Sequence, residues 1–319
     1  MKNLKKTKFQ FLQFSLVFST FLFVLSILFI NCDKGNNLFK PGPYKDKDVA
    51  ADVLEDLKKP PQTGVFNNAT EINYTGTNGT KVNIPANAFV DLNGNPVTTN
   101  IKIELIEATS KKDIFIQNTP TIINGQILIS GGVLYFNATS NGNQLIALKP
   151  IEFIVPTDSI DFDMELFSSN SDSTGVDFSW NFPDSSWTID YDTIFPYNYI
   201  IKIHSSFGWI NIGKLMKYNT PKINYCIKPI QNIDFDSSSL FLIINEQNSM
   251  LIFPYNDTSF YFENIPSEIR VTLLGISSLN NKLMCGVLND SIKNIPFIEM
   301  NFDYVSVDRF KTIVDSILY

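Results

Sequence analysis

Residues 78–145 decide the fold, and they read NGTKVNIPANAFVDLNGNPVTTNIKIELIEATSKKDIFIQNTPTIINGQILISGGVLYFNATSNGNQL. Four Asn-Gly pairs punctuate them: Asn78-Gly79, Asn93-Gly94, Asn124-Gly125 and Asn141-Gly142. The intervening segments alternate, as in Ile101-Lys102-Ile103-Glu104-Leu105 and Leu134-Tyr135-Phe136. A period of two sends successive side chains to opposite faces, the pattern of a strand with one face in a core. Asn-Gly supplies the two positive-φ residues of a type I′ turn, so each pair predicts a tight hairpin.

The same wording runs outward to about residue 300, with Val-Ile-Thr-Tyr runs separated by Asn, Gly, Pro and Asp. The expected fold class is mainly β, as tandem β-sandwich domains. Hydrophobic residues at 44% and charged residues at 18% fit a globular chain and exclude a disordered one. At 319 residues there is room for two or three domains, each with its own core. Shifts in wording divide the chain into a leader (1–31), a tether with a short helix (32–63), a first β-sandwich domain (64–156), a second β segment (157–220) and a C-terminal β domain with a terminal helix (221–319). The short helix is expected over 47–59, where Val49, Val53 and Leu57 repeat every four residues before Pro60-Pro61 stops the pattern. The terminal helix is expected over 307–318, with Val307, Phe310, Val314 and Ile317 as its apolar stripe and Ser306 as its cap.

The leader is an export or anchoring signal. Lys2, Lys5, Lys6 and Lys8 precede residues 11–30 (FLQFSLVFSTFLFVLSILFI), an apolar run broken only by Gln and hydroxyl side chains. It stops at Phe29-Ile30-Asn31-Cys32, and residues 33–37 (DKGNN) turn abruptly polar. This junction resembles a lipobox, in which a diacylglycerol alkylates the Cys thiol and cleavage leaves that Cys first. The resemblance implies lipid attachment at Cys32, and Asn31 stands where such motifs carry a small residue. A retained single-pass anchor is the other reading, since about 20 apolar residues span a bilayer. Either way the lysines stay inside and the body lies outside the cytoplasm.

Charge excludes one class of partner. The whole chain carries −7; without the four leader lysines, 21 basic residues face 32 acidic ones, a net −11. An acidic surface repels phosphate backbones, so no nucleic-acid partner is expected.

A family resemblance enters at Gly79-Thr80-Lys81-Val82-Asn83-Ile84-Pro85-Ala86-Asn87-Ala88-Phe89, followed by Asp91-Leu92-Asn93-Gly94-Asn95-Pro96-Val97 and Ile103-Glu104-Leu105-Ile106-Glu107. These strings resemble the β-sandwich domain of ankyrins and netrin receptors. Gram-negative surface lipoproteins carrying that domain are more similar still, through Ser130-Gly131-Gly132, Asn141-Gly142-Asn143-Gln144-Leu145 and Phe207-Gly208-Trp209-Ile210-Asn211. The resemblance implies a lipoprotein anchored to the outer membrane, on its periplasmic face or at the cell surface, that binds a protein or glycan partner. In some eukaryotic relatives the domain cleaves itself with a His near a Ser. Here the sole histidine, His204, precedes Ser205-Ser206-Phe207, which reverses the Phe-Ser order of those scissile bonds. Five triplets beginning at Asp158, Asp172, Asp192, Asp290 and Asp315 resemble a bacterial O-glycosylation signal.

Other chemistry is read by elimination. One histidine removes most zinc sites and Ser-His-Asp arrangements, and no phosphate loop is present. Residues 170–175 (NSDSTG) begin like a calcium loop, but Asn181 stands where the closing Glu belongs. No catalytic residue, metal or cofactor is therefore assigned. A glycan-acting enzyme remains the alternative and requires two acids in an aromatic-lined cleft. As a strand, residues 199–204 put Lys202 and His204 on one face and Ile201 and Ile203 on the other, and Trp209 is expected in the core. Cys226 and Cys285 either pair as a disulfide or stand as buried thiols.

Overall fold

The computed structural model describes residues 49–169, 178–182, 185–205, 207–256 and 258–318. Cys32, the leader, the start of the tether, Asp172 and residues 170–175 lie outside them. The first unit runs α1 (Val49–Leu57), β1 (Gln62–Asn67), β2 (Ile72–Thr75), β3 (Lys81–Ile84), β4 (Phe89–Asp91), β5 (Asn100–Ala108), α2 (Lys111–Gln117), β6 (Ile122–Ile123), β7 (Gln126–Ser140), β8 (Asn143–Pro156), β9 (Glu165–Ser169), β10 (Thr188–Asp192), β11 (Asn198–Ser205) and β12 (Gly208–Leu215). The second runs β13 (Lys222–Pro229), β14 (Ser238–Ile244), β15 (Ser249–Ile252), β16 (Phe260–Pro266), β17 (Arg270–Leu279), β18 (Lys282–Ser291), β19 (Ile298–Met300), β20 (Asp303–Tyr304) and α3 (Val307–Ile317). The chain is mainly β, with a short helix ahead of the first sandwich and another after the last strand.

The first sandwich packs β1-β5-β7-β12-β9 against a sheet in which β8 pairs with β11, β3 and β4, and β11 with β10. Segment 157–220 thus adds strands to both sheets of the first unit, and no structural boundary falls at 156. Alternation in β5 has its expected outcome: Ile101, Ile103 and Leu105 are fully buried and meet Phe153 and Ile201 of the facing sheet. Phe136 and Phe153 lock edge to face across this core, with ring centroids 5.1 Å apart.

Two of the four Asn-Gly pairs form the expected type I′ hairpins. Asn124 and Gly125 sit at φ 48° and 74° between β6 and β7, and Asn141 and Gly142 at 51° and 79° between β7 and β8. At 78–79 and 93–94 only the glycine is at positive φ, which corrects the uniform reading. Carboxylates shape those wider turns. The Glu107 carboxylate accepts from the Asn78 and Thr80 amides, and the Asp91 carboxylate from those of Asn93 and Asn95.

The second sandwich packs β15-β14-β17-β18-β20 against β16-β13-β19. Its larger sheet is buried on both faces. Leu240, Leu242 and Leu273 face the smaller sheet, whereas Phe241, Ile243, Leu274 and Ile276 face the first unit. Double burial explains why 240–244 (LFLII) is continuously apolar rather than alternating. The layer between the units also takes Ala50 and Val53 of α1, Phe115 of α2, and Phe310 and Val314 of α3. Phe115 meets Phe241 edge to face at 4.8 Å. Ser306 caps α3 by accepting from the Arg309 amide, as its position predicts.

Candidate functional site

Cys285 is a free thiol in the layer between the units, so a Cys226–Cys285 bridge is not formed. Cys226 is buried on β13 in the other sheet of the second unit. Burial, ahead of nearby Asp303, pushes the Cys285 thiol up to about 12, with Arg309 opposing. Burial, ahead of Asp290, also pushes the Tyr225 hydroxyl up. Both groups fold in the neutral form. Their contribution is fully present below the ordinary thiol and phenol ranges and is lost as pH rises through the raised values. We therefore expect native Cys285 to resist iodoacetamide at pH 8. We also expect melting temperatures to fall progressively above about pH 9, and less steeply in Cys285→Ala. Rapid native alkylation, or an unchanged slope in the variant, would contradict the burial argument.

His204 stands on β11 as a half-buried strand residue. Lys202 on the same face is exposed, and Ile201 and Ile203 on the other are fully buried. The His204 carbonyl accepts from the Trp187 indole at 3.1 Å. Trp209 is buried beside Tyr135, as a core residue. Asn181 bridges to Ser168 by two backbone hydrogen bonds, and the calcium-like string 170–175 lies outside the described residues. Among the described residues, no group of three or more His, Cys, Asp or Glu is placed to hold a metal ion.

The arrangement with chemical potential lies at the end of the first sandwich where β8 leads into β9 and β10 turns into β11. Residues 157–164 and 193–197 form the two loops, joined by the Thr157 amide donating to the Tyr197 carbonyl at 3.0 Å. Two tyrosines strap the first loop down. The Tyr191 hydroxyl is 3.2 Å from the carbonyls of both Phe162 and Met164, and the Tyr199 hydroxyl accepts from the Asp161 amide at 3.1 Å. Burial above all, and nearby carboxylates, push both hydroxyls above the usual phenol range, so they stay protonated donors.

This rigid end exposes large apolar side chains: Phe162 is 67% exposed, Ile194 78% and Phe195 80%. Beside Phe162 opens a cleft of about 440 Å³ lined by Ile129, Phe162, Asp163, Met164, Glu165, Lys214, Leu215 and Lys217. Lys214 pairs with Asp161 at 2.5 Å and Lys217 with Asp163 at 3.4 Å. The Lys214 hydrogen bond holds the Asp161 carboxyl below its usual range, and the same bond pushes Lys214 up. Both groups are charged at neutral pH, so Asp161 is no proton donor there.

The chain matches no known protein-family model and no curated protein.

No sequence motif assembles the carboxylates of 157–192 into a site, and Asp158 and Asp163 are exposed. The missed signal was the hydrophobic wording of the loops themselves, Phe162 between two aspartates and Ile194-Phe195-Pro196 after another. Such residues on connecting segments, outside any strand alternation, have no core to enter.

Proposed function

We propose that this chain is a lipid-anchored extracytoplasmic lipoprotein, attached through Cys32 to the outer membrane, whose β-sandwich body is a non-catalytic binding or scaffold module for a protein or glycan. The observation that carries the anchor is the apolar run of residues 11–30 ending at one thiol, Cys32, before a polar tether. Among the described residues no helix is long and apolar enough to cross a membrane, and residues 11–30 lie outside them. Supporting the binding role is the loop end, where Phe162, Ile194 and Phe195 are held out to solvent on strapped backbone. Sheets that fix loop ends are the usual platform for recognition.

Mass spectrometry of the mature N-terminus, from a Gram-negative host, tests the anchor. We expect residues 1–31 to be absent and Cys32 to carry a diacylglycerol, while Cys32→Ala accumulates as unprocessed precursor. Recovery of the chain in the soluble cytosolic fraction, with Met1 attached and no acyl group, would overturn the proposal. A second reading, a glycan-acting envelope enzyme, is favoured by one observation: Asp163 and Glu165 share the cleft with Phe162. It requires release of reducing ends from a glycan that Glu165→Gln abolishes.

A further inference from the structure

We propose that the cleft beside Phe162 is a subsite for a short neutral oligosaccharide, with one pyranose ring stacked on the exposed face of Phe162. The inference rests on the binding-module reading and names its ligand class. Phe162 meets Tyr191 edge to face, with centroids 5.1 Å apart and planes at 65°, and most of its surface stays open to solvent. Exposing a phenyl ring in this way carries a solvation cost, and the carbonyls of residues 162 and 164 are hydrogen-bonded so that the ring does not fold away. The platform is therefore present before a ligand arrives, which lowers the ordering cost of binding.

The lining decides the ligand class. Met164, Leu215 and Ile129 supply an apolar wall, and the charged groups come in both signs, Lys214 and Lys217 against Asp163 and Glu165. Both lysines are already paired, with Asp161 and Asp163. An anionic chain would meet the Asp163 and Glu165 carboxylates, and a cationic peptide the two ammonium groups. A polyol meets neither repulsion. Each hydroxyl both donates and accepts, so it can satisfy ammonium donors and carboxylate acceptors without burying a charge of its own. Pyranose C–H faces supply the apolar surface that Phe162 and Met164 offer to cover. A cleft of about 440 Å³ lies within the range of small-molecule sites.

Ligand-observed saturation-transfer NMR and calorimetry on the full mature chain in detergent micelles test this, with maltotriose, cellotriose and mannotriose as probes. A trigalacturonate and a lysine-rich peptide serve as the charged comparators. We expect at least one neutral trisaccharide to bind with a Kd of roughly 1 mM, and Phe162→Ala to weaken it about tenfold. Phe297→Ala, at an exposed ring on the second unit, should leave affinity unchanged. The exposure of Phe162 predicts wild-type melting for its variant, so lost binding is not lost folding. Binding that Phe162→Ala leaves intact, no response from any neutral probe, or equal binding of a charged comparator would each overturn the subsite. None of these outcomes alters the Cys32 lipid measurement, so the two proposals fail separately.

Discussion

Gly286→Ala is expected to destabilise the second sandwich by more than about 3 kcal/mol, enough to lower its melting temperature by roughly 10 °C. Gly275 and Gly286 lie directly opposite each other on β17 and β18. Together they leave a flat saddle on the face turned toward the smaller sheet, and residues 300–302 cross it. A Cβ on Gly286 would stand 2.4 Å from the Asn301 carbonyl oxygen, and one on Gly275 would stand 2.4 Å from the Phe302 ring. The two clashes are not equivalent. Phe302 can tilt its ring at some packing cost, whereas Asn301 meets the new methyl with backbone, and that backbone is pinned. The Gln231 side-chain oxygen accepts from the Phe302 amide at 2.8 Å, its Nε2 donates to the Asn301 side-chain oxygen, and the Ile230 amide donates to the Met300 carbonyl at 3.0 Å. Gly275→Ala should therefore cost less than Gly286→Ala. Gly125→Ala, at φ 74° with nothing within 4 Å of the new Cβ, should cost only about 1 kcal/mol of backbone strain. Thermal melts by circular dichroism rank the three. A Gly286→Ala protein melting within 2 °C of wild type would refute the saddle.

What could be read in advance, and what could not, follows from how far each signal reaches along the chain. The alternation of β5 and the stripe of α3 are local, and both elements form where expected. Asn124-Gly125 and Asn141-Gly142 are local as well, and the turns obey them. Asn78-Gly79 does not, because a carboxylate about thirty residues downstream takes its amides, and no window around the turn contains that information. The hairpin joining β17 to β18 carries no glycine signal, for a chemical reason. Asn280 and Asn281, at φ 52° and 57°, fill the positive-φ positions that a glycine would have advertised. The short helix α2 had a legible start in Ser110 and Asp113, which bond each other in a capping arrangement, but seven residues are too few to show a period. Ser130-Gly131-Gly132 also has a backbone role that no local pattern announces. It marks a register shift between β7 and β12, where Ser130 donates to Asn211 at 2.7 Å in a fully buried position. The candidate cleft was the least legible part, since Phe162 and Lys214 come together only through the pairing of β9 with β12.

Glu107→Ala is expected to cost about 3 kcal/mol and to loosen the loop end that carries the candidate cleft. Glu107 is only 4% exposed, and a buried carboxylate is tolerated when its lone pairs are filled. One oxygen accepts from the Asn78 amide and the Gln62 side chain, both at 2.9 Å, and the other from the Thr80 amide at 2.8 Å. The Glu107 carbonyl takes the Asn78 side chain at 3.3 Å. Glu107 belongs to one sheet and the turn it grips joins β2 to β3 in the other, so the carboxylate closes the sandwich at this end. Truncation strands two backbone donors and a side-chain amide, each worth about 1 kcal/mol or more when left unmade. Glu107→Gln keeps one acceptor but presents an NH₂ group to an N–H, so roughly half the loss should remain. Gly76→Ala should mimic the truncation from the opposite side, because its Cβ would stand 2.3 Å from the Glu107 carboxylate. Hydrogen exchange distinguishes this from diffuse destabilisation. The Asn78 and Thr80 amides should exchange at least tenfold faster in Glu107→Ala, under conditions where β17 and β18 keep their protection. The loosening should extend through Pro156, which lies 3.3 Å from where a Cβ on Gly79 would sit, into residues 157–164. If those two amides keep wild-type exchange rates, the carboxylate is not what closes the end, and the rigidity of the Phe162 loop must come from Tyr191 and Tyr199 alone.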